Sequence, residues 1–267
     1  MMRPCACIDT LYTELPWEER FRAAKQDGFE AVEFWDWRSR DLDLIRASAE
    51  QAEIKISGFN GDADFSLIDP RHKQPYVAFL QQSIAAAKKV GAESVTIHSN
   101  ALGSNGEVLH NYPELSETVK LCSMYDTLRA CARLAEEHNI NIHLEALNTT
   151  TDHVGNFLQH TQMAAEMTGL IQSPKLKILY DIYHMQLNEG SICDTLDKYY
   201  DQIGHIHVAD APGRHEPGTG EINYMNVFRK LKALQYTGRI GYELFPESNT
   251  QQAVKAIKLY WNMSNEV

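Results

Sequence analysis

Four short apolar runs in the second half of the sequence each carry an acidic residue or a histidine at or near their end. The runs are INIHLEA (140–146), KILYD (177–181), HIHVA (205–209) and IGYEL (240–244), and the residues are Glu145, Asp181, His207 and Glu243. Three carboxylates brought close together would repel one another and would be costly to bury in ionised form. A divalent cation removes this cost, and oxygen-rich ligation with one imidazole favours Mn²⁺ or Mg²⁺, with Co²⁺ or Zn²⁺ also suitable. The four residues therefore predict a metal centre.

A metal ion beside two glutamates predicts a particular chemistry. A cation bound to a carbonyl oxygen and to the neighbouring hydroxyl oxygen polarises the carbonyl and acidifies the C–H bond between them. One carboxylate can then remove that proton to give a cis-enediolate, and the other can return a proton elsewhere. With Glu145 and Glu243 flanking the substrate, the arrangement suits aldose–ketose isomerisation or epimerisation beside a ketone.

Two further polar residues lie close to these four in the sequence. His184 follows Asp181 by three residues, and Arg214 follows His207 by seven, in the stretch GHIHVADAPGRHEPGTGEINY (204–224). We expect His184 to reach a substrate oxygen. We expect the Arg214 guanidinium to clamp a carboxylate or hydroxyl groups with two parallel hydrogen bonds.

Each candidate also has an ordinary structural interpretation. A single acidic residue after a strand commonly caps the next helix or faces solvent. Arg214 could pair with Glu216 at the surface, and His143 and His205 could be hydrogen-bonded core histidines. The prediction of a metal centre therefore rests on four such residues at the same level of four consecutive runs, and not on any one of them.

The elements that must position these residues alternate along the whole chain, short apolar runs with longer amphipathic ones. Besides the four runs above, strands are predicted at CACID (5–9), AVEFW (31–35), KISGF (55–59) and SVTIH (94–98). Helices are predicted over 17–28, 69–91 and 114–139, and near 155–168, 192–202, 224–235 and 249–262. Strands separated by helices pair in parallel through right-handed crossovers. The 267 residues therefore predict one α/β domain, 1–267, folded as a closed (β/α)8 TIM barrel, whose active site lies at the C-terminal ends of its strands.

The composition limits the class of partner. A net charge of −11 argues against a nucleic-acid backbone, which needs clustered Lys and Arg, and it suits divalent cations. The chain has no run of about 18 apolar residues and no secretory signal at its N-terminus. Its five cysteines form no C-x-x-C pair, and Cys5 and Cys7 suit small core residues. We expect a cytoplasmic protein with reduced thiols and a small-molecule substrate.

Several segments resemble the xylose isomerase-like TIM barrel superfamily and, within it, the hydroxypyruvate isomerase family. They are LYTELPWEERFRAAKQDGFEAVEFW, HLEALN, LYDIYHMQ, PGRHEPGTGEINY and GYELFP, and they run through nearly the whole chain. The resemblance implies a metal bound by Glu145, Asp181, His207 and Glu243, with the two glutamates as the acid/base pair. It implies substrate contacts from His184 and Arg214, interconversion of hydroxypyruvate and tartronate semialdehyde, and a homodimer or homotetramer.

The sequence departs from this family at two places. The third ligand position is usually Gln in an H-x-Q phrase, whereas His207 makes an H-x-H phrase that is more like the sugar epimerases and isomerases. Trp35 and Trp37 could wall a sugar-sized pocket, or they could be core or rim aromatics. Thr151 stands where ketose 3-epimerases often have a glutamate, which counts against that subgroup. Because of the H-x-H phrase and the two tryptophans, a ketose 3-epimerase or an aldose–ketose isomerase of free sugars is the alternative.

Two alternatives belong to other functional classes. A metal-dependent endonuclease on the same barrel would need more histidine and carboxylate ligands and a basic face, which the net charge of −11 does not favour. A barrel that binds a sugar or metabolite without turning it over would exchange no substrate hydrogen with solvent. Both are separable from an isomerase by experiment.

Overall fold

A computed structural model describes residues 2–265 of the chain, and in that range eight parallel strands close into a barrel. The strands are Arg3–Cys7 (β1), Ala31–Phe34 (β2), Lys55–Asn60 (β3), Ala92–Ile97 (β4), Asn141–Glu145 (β5), Leu176–Asp181 (β6), Ile203–His207 (β7) and Arg239–Tyr242 (β8). Each strand pairs with its neighbours in sequence, and β8 pairs with β1 to close the ring. The predicted (β/α)8 TIM barrel is confirmed. The predicted domain bounds, 1–267, extend past the described residues at both ends.

Nine α-helices lie outside the barrel in the described part of the chain. They are Trp17–Gln26 (α1), Leu42–Ala52 (α2), Lys73–Val90 (α3), Glu117–His138 (α4), Thr161–Ile171 (α5), Ile182–Asn188 (α6), Ile192–Tyr199 (α7), Tyr224–Ala233 (α8) and Thr250–Asn265 (α9). Between residues 2 and 265, none of them combines the length and the apolar character that a membrane crossing requires.

The helices differ from prediction in three places. The helices α2 and α6 were not predicted, and α5 begins at Thr161 rather than near 155. The short α6 has no connecting loop, because Asp181 both ends β6 and caps the helix. The residues just before α5 are not helical, because the backbone N–H groups of Phe157 and Leu158 donate to the side chains of Asn100 and Ser99.

The interior of the barrel contains polar residues as well as apolar ones. Glu33, His143, His205 and His207 are all at most 7% exposed, within the ring of strands. Cys5 and Cys7 are fully buried as small side chains beside them, as predicted. Apolar side chains such as Ile206 fill the layer between strands and helices. Buried polar groups are costly unless they are paired, so this polar layer points to function.

Candidate metal centre and active site

The four predicted ligands end four neighbouring strands at one mouth of the barrel. Glu145, Asp181 and His207 are the last residues of β5, β6 and β7, and Glu243 follows β8 directly. All four are buried, with Glu243 the most exposed at 8%. Parallel strands of one barrel end at the same level, so their terminal side chains meet across the mouth.

Three of these residues turn unpartnered atoms toward one another. Glu145 Oε1, Asp181 Oδ2 and His207 Nδ1 are buried, and none has a hydrogen-bond partner in the described part of the chain. His207 Nδ1 lies 3.9 Å from Glu145 Oε1 and 3.8 Å from Asp181 Oδ2. All three atoms lie within 4.8 Å of one another. Buried polar atoms are rarely left unpaired, and these three fit the donor set of a divalent cation.

The second oxygen of each carboxylate is held by the protein. Asp181 Oδ1 accepts hydrogen bonds from the backbone N–H groups of Tyr183, at 2.8 Å, and His184, at 3.2 Å, and so caps α6. Glu145 Oε2 lies 3.0 Å from His98 Nε2. These contacts fix both carboxylates so that their remaining oxygens face the centre.

Glu243 lies at the edge of this group of three atoms. Its Oε2 is 3.6 Å from His207 Nδ1 and accepts a hydrogen bond from Arg214 Nη2 at 2.5 Å. Its Oε1 accepts a hydrogen bond from the indole N–H of Trp35. The structure therefore brings all four predicted ligands together, with Glu243 held by the Arg214 guanidinium and the Trp35 indole.

Burial and charge set the protonation of the centre. Burial raises the pKa of the Asp181 carboxyl above its ordinary value, although Arg214 and His207 act in the opposite direction. Burial would also raise the pKa of Glu243, but Arg214 and His207 outweigh it and hold that pKa below its ordinary range. Burial would lower the pKa of His207, but Glu33 and Glu243 raise it well above its ordinary value. A bound cation would displace protons from Asp181 and His207, the two groups whose pKa values are raised.

His184, predicted to contact substrate, lies against the centre. Its Nδ1 accepts a hydrogen bond from Asn148 Nδ2 at 2.7 Å, which leaves Nε2 to carry the hydrogen, 3.5 Å from Asp181 Oδ2. Burial and the nearby Arg214 lower the pKa of His184 well below its ordinary value, so the ring is neutral. A neutral imidazole with Nε2–H can donate one hydrogen bond.

Arg214 sits on the loop after β7 in a left-handed backbone conformation, with a φ of 57°. The loop is held by backbone hydrogen bonds from Arg214 N to Asp210 O and from Phe245 N to Arg214 O. The guanidinium lies over the Tyr183 ring and beside the Phe245 ring. Its Nη1 is 4.0 Å from Asp152 Oδ2, and its Nε has no hydrogen-bond partner among the described residues. Arg214 therefore has donors that its contact with Glu243 does not use.

Other predicted residues take ordinary roles or support the site. Trp37 packs against Phe79 and donates its indole N–H to Ser83 Oγ, which makes it a rim aromatic. His143 stacks on His205 within the barrel, so both are core residues, but His205 Nε2 has no hydrogen-bond partner among the described residues, unlike the hydrogen-bonded histidine that was predicted. Thr151 is exposed to solvent.

Two buried residues that the sequence analysis did not select contact the centre directly. Glu33, on β2, places Oε1 3.2 Å from His207 Nε2 and Oε2 3.0 Å from His205 Nε2. Burial alone would raise the pKa of Glu33, but the two histidines lower it below its ordinary value. A signal was present in the sequence, because Glu33 is the one charged residue of the run AVEFW.

His98 is the second such residue, directly after β4. Its Nδ1 lies 3.2 Å from Asp62 Oδ1 and its backbone N–H donates to Asp62 Oδ2. Burial alone would lower the pKa of His98, but Asp62 and Glu145 raise it to about 10. His98 is therefore a cation beside Glu145, with its Nε2 3.0 Å from Glu145 Oε2. Its position at the end of the run SVTIH, like the four ligands, could have identified it.

Comparison with known proteins identifies the family of the chain. The family model described as xylose isomerase-like TIM barrel matches residues 21–260. The chain belongs to this family. The hydroxypyruvate isomerase of Escherichia coli (strain K12) is 27% identical over 97% of this chain and 100% of its own length. The 2-oxo-tetronate isomerase of Pectobacterium atrosepticum is 28% identical over 95% of this chain and 96% of its own.

A solved structure from Brucella melitensis, named AP endonuclease, family 2, matches this xylose isomerase-like barrel with a TM-score of 0.87 and 25% identity. It covers 97% of this chain and 99% of that chain. The two curated relatives above are named isomerases, and this chain matches each of them along nearly its whole length. They confirm the resemblance predicted from the sequence and the enzyme class, an isomerase.

Proposed function

We propose that the chain is a divalent-metal-dependent isomerase of a small hydroxy-oxo acid, and that hydroxypyruvate, converted to tartronate semialdehyde, is its substrate. The observation that carries the proposal is the set of unpartnered atoms of Glu145, Asp181 and His207, which face one another within 4.8 Å beside Glu243. The relatives named hydroxypyruvate isomerase and 2-oxo-tetronate isomerase support an acid as the substrate.

Glu145, Asp181, His207 and Glu243 would hold the metal, and their three carboxylates favour Mn²⁺ or Mg²⁺. Such an ion, when bound, polarises a substrate carbonyl and lowers the pKa of the adjacent C–H bond. The protein fixes the outer oxygens of Glu145 and Asp181 through His98 and the N-terminus of α6. This fixing preorganises the ligand set before substrate arrives.

The isomerisation needs one proton moved between adjacent carbons. A carboxylate takes a proton from C3 of hydroxypyruvate, which gives an enediolate across C2 and C3. A proton is then delivered to C2, and the hydroxyl proton passes from O3 to O2. We assign these two transfers to Glu145, which ends β5, and Glu243, which directly follows β8. Arg214 and His207 hold the pKa of Glu243 below its ordinary range against the effect of burial, so Glu243 carries no proton before substrate binds.

Arg214 gives the site its preference for an acid. Among the described residues the buried Nε donor of Arg214 has no partner, and Nη1 lies 4.0 Å from Asp152 Oδ2. Because Nε and Nη1 point their N–H bonds in different directions, a substrate carboxylate can accept a charge-assisted hydrogen bond from one of them, and we assign that contact to Nε. The contact of Nη2 with Glu243 would then place the acid group beside the acid/base residue.

A free sugar is the second candidate substrate class. Two observations favour it, the histidine at position 207 and the Trp35 indole that bonds to Glu243 at the rim of the centre. Neither supplies a partner for the unused donors of Arg214, so the acid remains the first proposal.

Deuterium exchange tests both classes together. Hydroxypyruvate, 2-oxo-tetronate and a panel of free ketoses are incubated with the protein and Mg²⁺ in D₂O, and exchange is followed by NMR. We expect exchange and conversion of hydroxypyruvate or the four-carbon acid, and none of the ketoses. Exchange at C1 or C3 of a ketose alone would contradict the acid assignment and leave the metal-dependent proton transfer in place.

A further inference from the structure

The H-x-H phrase of β7 brings two imidazoles to a single buried carboxylate from another strand. We propose that Glu33 is a positioning residue for the metal centre, which holds the Nε2–H of His207 and so leaves Nδ1 as the nitrogen that binds the cation. This inference deepens the proposed function and rests on its metal centre.

The contacts of Glu33 support this role. Its Oε1 lies 3.2 Å from His207 Nε2 and its Oε2 lies 3.0 Å from His205 Nε2. These are ion-pair distances, since neither Glu33 Oε1 nor His205 Nε2 has a hydrogen bond among the described residues. An ionised carboxylate only accepts hydrogen bonds, so such distances favour an N–H on each Nε2. On the other side of the His207 ring, Nδ1 faces Glu145 and Asp181 without a partner in the described chain.

The backbone leaves room for this contact at one position. Gly241 of β8 pairs in register with His207 of β7. A Cβ at Gly241 would lie 2.1 Å from Glu33 Oε1 and 2.8 Å from His207 Cδ2. Any side chain at this position would therefore push the carboxylate and the imidazole apart, and glycine is what allows Glu33 to reach His207.

The effect on the metal follows from the chemistry of imidazole ligands. A histidine that binds a metal through one nitrogen commonly donates its other N–H to a carboxylate, which fixes the ring and raises the basicity of the ligand. Loss of such a partner typically weakens metal binding by about 10- to 100-fold. The same loss at Glu33 should weaken binding through His207 and through no other ligand.

A double-mutant cycle of Mn²⁺ affinity, measured by titration calorimetry on the metal-free protein, tests the proposal. The variants are Glu33→Met, His207→Gln and the two combined, and Glu93→Gln is the control that removes a carboxylate from the other end of the barrel. We expect Glu33→Met to weaken Mn²⁺ binding by about 10- to 100-fold and Glu93→Gln to leave it unchanged. In the His207→Gln background, where residue 207 no longer has a second ring nitrogen, Glu33→Met should change the affinity by less than about 2-fold.

Three results would overturn the proposal. Glu33→Met could leave the affinity unchanged, or it could weaken binding equally in both backgrounds, which is what a loss of nearby negative charge alone would do. Two ions per wild-type chain and one in Glu33→Met would show that Glu33, His205 and His207 bind a second cation themselves. A wild-type chain that binds no Mn²⁺ at all would instead remove the proposed metal centre.

Gly241→Ala tests the position of the Glu33 carboxylate separately from its charge. It also replaces Glu33→Met in the test if circular dichroism shows that Glu33→Met does not fold. The variant keeps the Glu33 charge and displaces its carboxylate from His207. We expect Mn²⁺ affinity to fall by about 10-fold or more. An unchanged affinity in a folded Gly241→Ala chain would overturn the proposal.

Discussion

Arg214→Lys is the substitution that best separates an acid substrate from a neutral one. Arg214 bonds to Glu243 through Nη2 and has Nε and Nη1 left for a carboxylate. A lysine keeps the positive charge, but its ammonium would pair with Glu243. It would have no second nitrogen at the position of Nε to donate a hydrogen bond to the substrate. One lost hydrogen bond to a charged group costs about 1.5–3 kcal/mol. That cost corresponds to a fall of about 10- to 150-fold in kcat/KM for hydroxypyruvate.

The assay is steady-state isomerisation of hydroxypyruvate with Mg²⁺. We expect most of the loss in KM, because the substrate carboxylate keeps its charge throughout the reaction, so a hydrogen bond to it binds substrate and transition state alike. Arg239→Lys is the matched control, since Arg239 is also buried but pairs with Glu93 at the other end of the barrel. Unchanged kcat/KM in Arg214→Lys, or an equal fall in Arg239→Lys, would refute the assignment of Arg214.

Three further predictions follow from the same contacts. Glu145→Gln and Glu243→Gln should each abolish turnover while the circular dichroism spectrum stays native, and full activity in either variant would contradict the two-glutamate mechanism. Mn²⁺ at about 100 times its Kd should raise the unfolding temperature by about 5–10 °C, and EDTA should reverse this rise. A rise of the same size in Glu145→Gln would count against Glu145 as a ligand. Arg239 lowers the pKa of Glu93 against the effect of burial, so this pair stabilises the fold at pH values above the ordinary carboxyl pKa. The difference in free energy of unfolding between wild type and Glu93→Gln, measured by urea titration, should therefore disappear as the pH falls from about 5 to 3. A gap that is constant over this pH range would show that the Glu93 charge adds nothing.

Much of the barrel could be predicted from hydrophobic patterns alone. The observed strands overlap all eight predicted runs, and their ends differ by two residues at most for the three strands that end in Glu145, Asp181 and His207. Because parallel strands of a barrel end at one mouth, the positions of the ligands in the sequence were enough to predict that they meet.

The helices that were missed have local causes. The helix α6 follows β6 without a loop, so the pattern around Asp181 shows a strand end and hides a helix start. The helix α2 begins after Asp41, whose side chain caps it. The seven residues of α6 make only about two turns, which is too few for a clear periodic apolar pattern.

The partners of the supporting residues could not be derived from spacing, because they are distant in the sequence. Glu33 meets His205 and His207 across the barrel interior, and His98 joins Asp62 to Glu145. An acidic residue in an apolar strand signals that a partner exists, but the sequence does not say which residue it is. The three-dimensional closure of the barrel supplies that information.

The central claim is a metal-dependent proton transfer, and solvent exchange measures it most directly. Hydroxypyruvate is incubated in D₂O with the metal-free chain, with the chain plus Mg²⁺, and with Glu145→Gln plus Mg²⁺, and deuterium in the substrate and in tartronate semialdehyde is followed by NMR. We predict deuterium incorporation with the wild-type chain and Mg²⁺ and none in the other two samples. Incorporation that persists in the metal-free chain or in Glu145→Gln would contradict the claim.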